Sequence, residues 1–228
     1  MSYDDGVLQD LKLMKILADY NLRITFNINS GLLGKEGYIE IDGKKLDHTT
    51  ISENNLCANY SRHEISTHGV THAHLETLSH SELVKEITQD RVNLATLVGY
   101  EINGHAYPYG YPLDPSDLSI ADVVRKECNI AYARTTTCSG NFSMPKNRYL
   151  WNPTCRHDDP KLMEIVDSFV AAEPTNGDMC LHIWGCSSEL DLESENCNWD
   201  NIKRICEKVS GRRDITCRDN LFIANKLS

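Results

Sequence analysis

Two stretches far apart in the chain constrain its fold more than anything else in it. Asp4 and Asp5 stand before Gly6 at the extreme N-terminus, and His68 and His72 follow the β-prone run Glu64-Ile65-Ser66-Thr67. Histidines at i and i+4 share one face of a helical turn, so both imidazoles can reach one ion at about 2.0–2.1 Å. Nine histidines in 228 residues also produce such a pair by chance. The aspartates weigh against chance. On an extended chain adjacent residues face opposite ways, so one carboxylate can bind metal while the other stays free as a base, and Gly6 permits the sharp turn that aims them. The alternative is a polar surface turn or helix cap. If the four residues do form one site, the fold must bring the end of the first strand beside the end of a strand 60 residues later.

The hydrophobic pattern supplies such a fold. Leu8, Leu11, Met14 and Leu17 recur at helical spacing between Val7 and Tyr20, and Leu22 to Ile28 alternates like a strand. Gly34 to Lys45 reads as an inserted hairpin over the barrel mouth, turning at Asp42-Gly43. Ser79-His80-Ser81-Glu82 is a capping box opening a helix, and Asp114-Pro115 is a cap and first-turn proline for another. Strands are expected over 102–107, 130–134 and 179–183. Helices are expected from Asp159-Pro160 and over Trp199 to Val209. This alternation predicts an α/β fold, a (β/α) barrel whose site lies at the C-terminal strand ends.

The ordered motifs resemble the polysaccharide deacetylase superfamily (NodB homology, carbohydrate esterase 4). Ser2-Tyr3-Asp4-Asp5-Gly6 is similar to its first motif and His68-Gly69-Val70-Thr71-His72 to its second. Ala106-Tyr107-Pro108-Tyr109-Gly110 resembles a variant third motif, and Leu181-His182-Ile183-Trp184-Gly185 the last. The resemblance implies a distorted (β/α)7-type barrel in a single domain spanning 1–228, with the first strand truncated. It implies Asp5, His68 and His72 as metal ligands, Asp4 as base, His182 as acid and the Tyr109 amide as an oxyanion donor. Trp151 and Trp184 are candidate walls of an acetyl-methyl pocket. By themselves, His182 and the two tryptophans read equally as core residues.

Three departures stand out. The third motif usually opens with an arginine, where this chain has Ala106; the fourth, aspartate with tryptophan, is not recognisable; and Cys186 stands where similar chains carry a second histidine. Arg134, ending the expected strand 130–134, can reach Asp4 from a neighbouring position and replace the missing arginine; the alternative is a solvated arginine opening a loop.

The implied activity is metal-dependent removal of acetyl groups from N-acetylated or O-acetylated carbohydrate, with zinc first and cobalt, manganese, iron or nickel as alternatives. The implied partner is an acetylated glycan or amino sugar. A weakened metal- or glycan-binding relative and a deacylase of small non-sugar amides remain open, as does a non-haem iron oxygenase, since two histidines and a carboxylate also form that triad. The net charge of −10 argues against nucleic acid. No apolar run approaches the ~20 residues of a membrane span. Nine cysteines without a Cys-x-x-Cys pair suit a reducing cytoplasm, with Cys128, Cys180 and Cys206 as core residues. His48, His63, His74 and His80 are expected to be solvated or caps.

Overall fold

The computed structural model describes residues 1–112, 118–174 and 177–227. In chain order the elements are β1 (Ser2–Asp4), α1 (Asp10–Asp19), β2 (Thr25–Ile28), β3 (Tyr38–Ile41), β4 (Lys44–Asp47), α2 (Glu53–Tyr60), β5 (Glu64–Thr67) and α3 (His80–Val98). There follow β6 (Gly104–Ala106), α4 (Ser119–Glu127), β7 (Tyr132–Arg134), β8 (Cys155–Arg156), α5 (Leu162–Ala171), β9 (Ile183–Cys186), α6 (Trp199–Val209) and α7 (Asn220–Ala224). Asp114-Pro115, the expected helix start, lies outside the described residues.

Seven strands form one parallel sheet in the order β7-β6-β5-β2-β1-β9-β8, curled into a distorted (β/α)7-type half-barrel. Trp151 pairs with Arg134 on β7, and the same stretch runs on into β8, so residues 151–156 bring the two edges of the curl together. Tyr3, Phe26 and Ile65 face outward from the sheet into the helix layer, where α1 adds Leu13 and Leu17 and α6 adds Ile202, Ile205 and Cys206. The inner face is polar. Ser2 and Asn27 meet at 2.8 Å, and Thr25, Glu64 and Tyr132 share hydrogen bonds of 2.6 and 2.9 Å. Gly104 has no room for a side chain, since a Cβ there would lie 2.3 Å from the Tyr132 hydroxyl and 2.6 Å from Ser66 Oγ.

Local chemistry sets the helix starts. Ser79 and Glu82 form the expected capping box, with the Ser79 amide donating to Glu82 at 2.9 Å, and Asn198 Oδ1 accepts from the Asn201 amide at the start of α6. The β3–β4 pair is the expected hairpin. It is bound to the first loop by Leu8 N to Thr49 O and Ile51 N to Gly6 O, each 2.8 Å, and Leu46 is buried in the core.

One strand differs from expectation in a way that moves a site residue. The strand expected over 179–183 is β9, Ile183–Cys186, and its register sets Ser2 beside Trp184 and Asp4 beside Cys186. His182 therefore precedes the strand instead of ending it. The strand residues Ile183-Trp184-Gly185-Cys186 continue the apolar run Met179-Cys180-Leu181 across His182, so apolar character alone does not mark where the strand begins.

Candidate active site

The ends of β1, β2, β5, β7 and β9 meet at one mouth. Asp4 is buried at the end of β1. Arg134 Nη2 donates to both its carboxylate oxygens at 2.7 Å, and Asn27 Nδ2 donates to Oδ1 at 2.7 Å. The Arg134 side chain is fully buried and lies over the Trp184 ring, 4.9 Å from its centroid. Arg134 thus reaches Asp4 from β7, next to the strand that carries Ala106.

Asp5 leaves β1 with φ +78°, and Gly6 follows at +67°. A non-glycine residue in this region is uncommon and marks a conformation that its surroundings impose. The turn swings the Asp5 carboxylate away from Asp4. Its Oδ1 lies 3.7 Å from His68 Nε2 and 3.6 Å from His72 Nε2.

The two histidines are not on a helical turn. They occupy an irregular loop after β5, with Gly69 at φ +80° and His72 at +56°. That loop is held from several sides. Asp90 of α3 accepts from the His68 amide at 3.0 Å and the Ser30 amide at 2.7 Å. Asn29 Nδ2 donates to the carbonyls of His68 and Gly69, and Glu86 accepts from the Thr71 amide at 2.6 Å. Burial pushes the Asp90 carboxyl up to about 7.

These residues fit a metal ion. His68 Nδ1 donates to the Ala106 carbonyl at 2.8 Å, a partner that can only accept, so in this tautomer Nε2 carries the lone pair that faces Asp5. Burial holds His72 down at about 4, so its ring is neutral near pH 7. Imidazole lone pairs facing a carboxylate oxygen repel unless a cation lies between them. Donors bonded at about 2.0–2.1 Å in a tetrahedron stand roughly 3.3 Å apart, close to the observed spacings.

Three sequence candidates lie elsewhere. His182 is four residues, roughly 13 Å, below Cys186 along β9. Its ring packs on Trp151 at 4.7 Å, both ring nitrogens are buried without a partner, and burial holds its pKa well below the usual histidine value. The structure does not bring it to Asp4. Trp151 is buried between His182 and Tyr132, and Trp184 lies beneath Arg134. Neither ring touches the histidine pair. Tyr109 does: its exposed ring is 4.4 Å from His72 and stacks on His74 at 3.6 Å. Tyr109 also has a left-handed φ, +57°.

Two residues at the mouth, His48 and Ser188, escaped sequence reasoning. His48, at the base of the hairpin, places Nε2 3.5 Å from Asp5 Oδ2 and Nδ1 2.9 Å from Ser188 Oγ. Cys186 lies beside Ser188, with 3.2 Å between Sγ and Oγ. The sequence marked it only as a cysteine standing where similar chains carry a second histidine. His74 and His80, expected to be solvated, are exposed and pair with Glu76 and Glu127, whereas His63 is buried and depressed to about 4.

The polysaccharide deacetylase family model matches residues 1–125. The chain belongs to this family. A family 4 carbohydrate esterase from Streptomyces lividans, solved with acetate, matches 91% of this chain and 85% of its own at TM-score 0.56 and 15% identity. The peptidoglycan deacetylase PdaC from Bacillus subtilis, in a mutant form, matches 98% and 88% at TM-score 0.54 and 15% identity. These likenesses show the fold. A polysaccharide deacetylase from Bacillus cereus matches 60% of this chain at TM-score 0.47 and 16% identity, and the chain spans only 40% of its length. No curated protein matches the sequence. Among the described residues, no helix is long and apolar enough to cross a membrane.

Proposed function

We propose that the chain, read over 1–228 as one deacetylase domain, removes acetyl groups from N-acetylated or O-acetylated carbohydrate with the help of a divalent metal ion, zinc first among the candidates. One observation carries the reading. Adjacent aspartates diverge at the end of β1, one gripped by Arg134 and Asn27, the other facing His68 and His72.

Asp5, His68 and His72 would hold the ion, leaving positions for water and substrate. When bound, it supplies Lewis acidity toward an acyl carbonyl and brings the pKa of its water to about 7. Asp4 is the base. The Arg134 and Asn27 donors fix its orientation, so it takes the proton of the attacking water without reorganising. With His182 out of reach, Asp4 is also the group placed to return that proton to the departing amine. The Tyr109 amide is the candidate oxyanion donor, and the exposed Tyr109–His74 stack offers a flat face for a sugar ring. All nine cysteines are free, which supports a reducing cytoplasm.

The test is acetate release from N-acetylglucosamine oligomers, acetylated xylan and small acetylated amines, with zinc, cobalt, manganese or iron added. Release from a glycan is expected, with Asp4→Asn inactive. Metal binding without release from any amide or ester would make the chain a binding protein.

A further inference from the structure

Asp5 has two faces. Among the described residues its ion-pair partners are His68 and His72 on Oδ1 and His48 on Oδ2. Arg134, at the same mouth, is committed to Asp4. The Oδ2 side has its own donor set. One ligand atom each from Asp5, His48 and Cys186 lie within 4.8 Å of one another, as do those of Asp5, His68 and His72.

The second set is held as firmly as the first. The His48 amide donates to the Gly37 carbonyl at 2.9 Å, and Asp47 Oδ1 accepts from the Thr49 amide at 2.9 Å, which fixes the backbone on either side of the ring. Ser188 Oγ meets His48 Nδ1, which leaves Nε2 to face Asp5 and Cys186. The same hydroxyl lies 3.2 Å from Cys186 Sγ, so one serine orients both donors, as outer-shell partners do at metal centres. Cys186 is buried and sits level with Asp4 on the adjoining strand.

We propose that Asp5, His48 and Cys186 form a second site for a thiophilic divalent ion, adjoining the first and sharing Asp5 as a bridging carboxylate. Mixed thiolate, imidazole and carboxylate donors suit zinc, or cobalt in its place, and not magnesium or calcium. A carboxylate whose two oxygens face different donor sets suits a pair of ions about 3.5–4 Å apart. The thiol gives up its proton to solvent as the ion binds. The inference rests on the Asp5–His68–His72 reading for the neighbouring ion.

The test is cobalt(II) titration of the chelator-stripped full chain, followed by metal analysis and absorption. Two ions per chain are expected, one giving a near-ultraviolet sulfur-to-cobalt charge-transfer band. His48→Ala, on a partly exposed ring, and Cys186→Ser should each lower the count to one and remove the band, with melting curves showing that the fold persists. His68→Ala and His72→Ala should also lower the count to one while keeping the band. Their failure to lower it would strike the first site and leave the second standing. Replacing the exposed Cys57 and Cys138 by serine should change nothing. One ion per chain, with or without the band, overturns the proposal, as does a band that survives Cys186→Ser.

Discussion

The two ends of the barrel are built from the same inward-facing strand positions and use polar groups in opposite ways. At the N-terminal end Glu64 accepts from Thr25, Tyr132 and the Leu221 amide, and the Asn220 amide donates to Thr25 at 2.8 Å, so α7 is sealed onto the floor by satisfied hydrogen bonds. At the mouth, Asp5 faces ring nitrogens of His48, His68 and His72 at 3.5, 3.7 and 3.6 Å, too far for direct hydrogen bonds, and Asp5, His72 and Tyr109 have left-handed backbones. Around Glu64 and Thr25 the floor is arranged for stability, with the unpaired nitrogens of His182 and Asn220 as its exceptions. The mouth holds unfavourable geometry that makes sense once a cation or substrate is added, and the surrounding structure must compensate for it.

That contrast can be broken most decisively at the histidines. His68→Ala or His72→Ala should abolish binding at the first metal site and acetate release with it, as read by metal analysis and rate, while His74→Ala and His80→Ala leave the metal in place. Equal loss in all four would mean that the ligands are wrongly assigned.

Asp4→Asn should come next, keeping the metal and lowering turnover by about 10²–10⁴-fold, since only the proton acceptor is removed. Metal loss in Asp4→Asn but not in Asp5→Asn would exchange the two roles.

Arg134→Met probes a residue that serves both stability and chemistry. It leaves a buried carboxylate without its cation, which costs about 3–5 kcal/mol in denaturant unfolding. Turnover should fall and the acidic limb of the pH–rate profile move upward, with metal retained. An unchanged pH profile would make Arg134 purely structural.

The smallest effect belongs to the floor. Burial pushes the Glu64 carboxyl from 4.5 to about 7. Between these values the folded chain holds more proton than the unfolded one, so stability is full below about pH 4.5 and declines as pH rises to about 7. Glu64→Gln should reduce that decline by at most about 1.4 kcal/mol per pH unit and leave metal binding unchanged. Asp10 and Asp90 are pushed up to about 7 in the same way, so a slope remains. A variant with the wild-type slope would show that Glu64 is ionised in the fold.

The mouth was partly legible in the sequence. Divergent aspartates before a glycine, paired histidines after a β-prone run and an arginine at a strand end are local signals, and the structure gathers all of them. The bounds of α6 were equally plain, because its apolar face follows the helical period. His182 misled because apolar residues lie on both sides of it, Met179-Cys180-Leu181 before and Ile183-Trp184-Gly185-Cys186 after, and composition does not say which side forms the strand. His48 was hidden for another reason. Its place depends on how a hairpin docks 40 residues from Asp5, and no periodicity encodes docking.

The hairpin has a further consequence for protein engineering. Its base is stitched to residues 6–8 and its Lys44 reaches the Leu192 carbonyl, while Asp42-Gly43 forms a tight turn at an outer tip where a Cβ added to Gly43 meets nothing within 4 Å. The tip is therefore a graft point. Loop residues exchanged or inserted there, in steps that preserve the two-residue alternation of β3 and β4, leave the stitched base and His48 where they are.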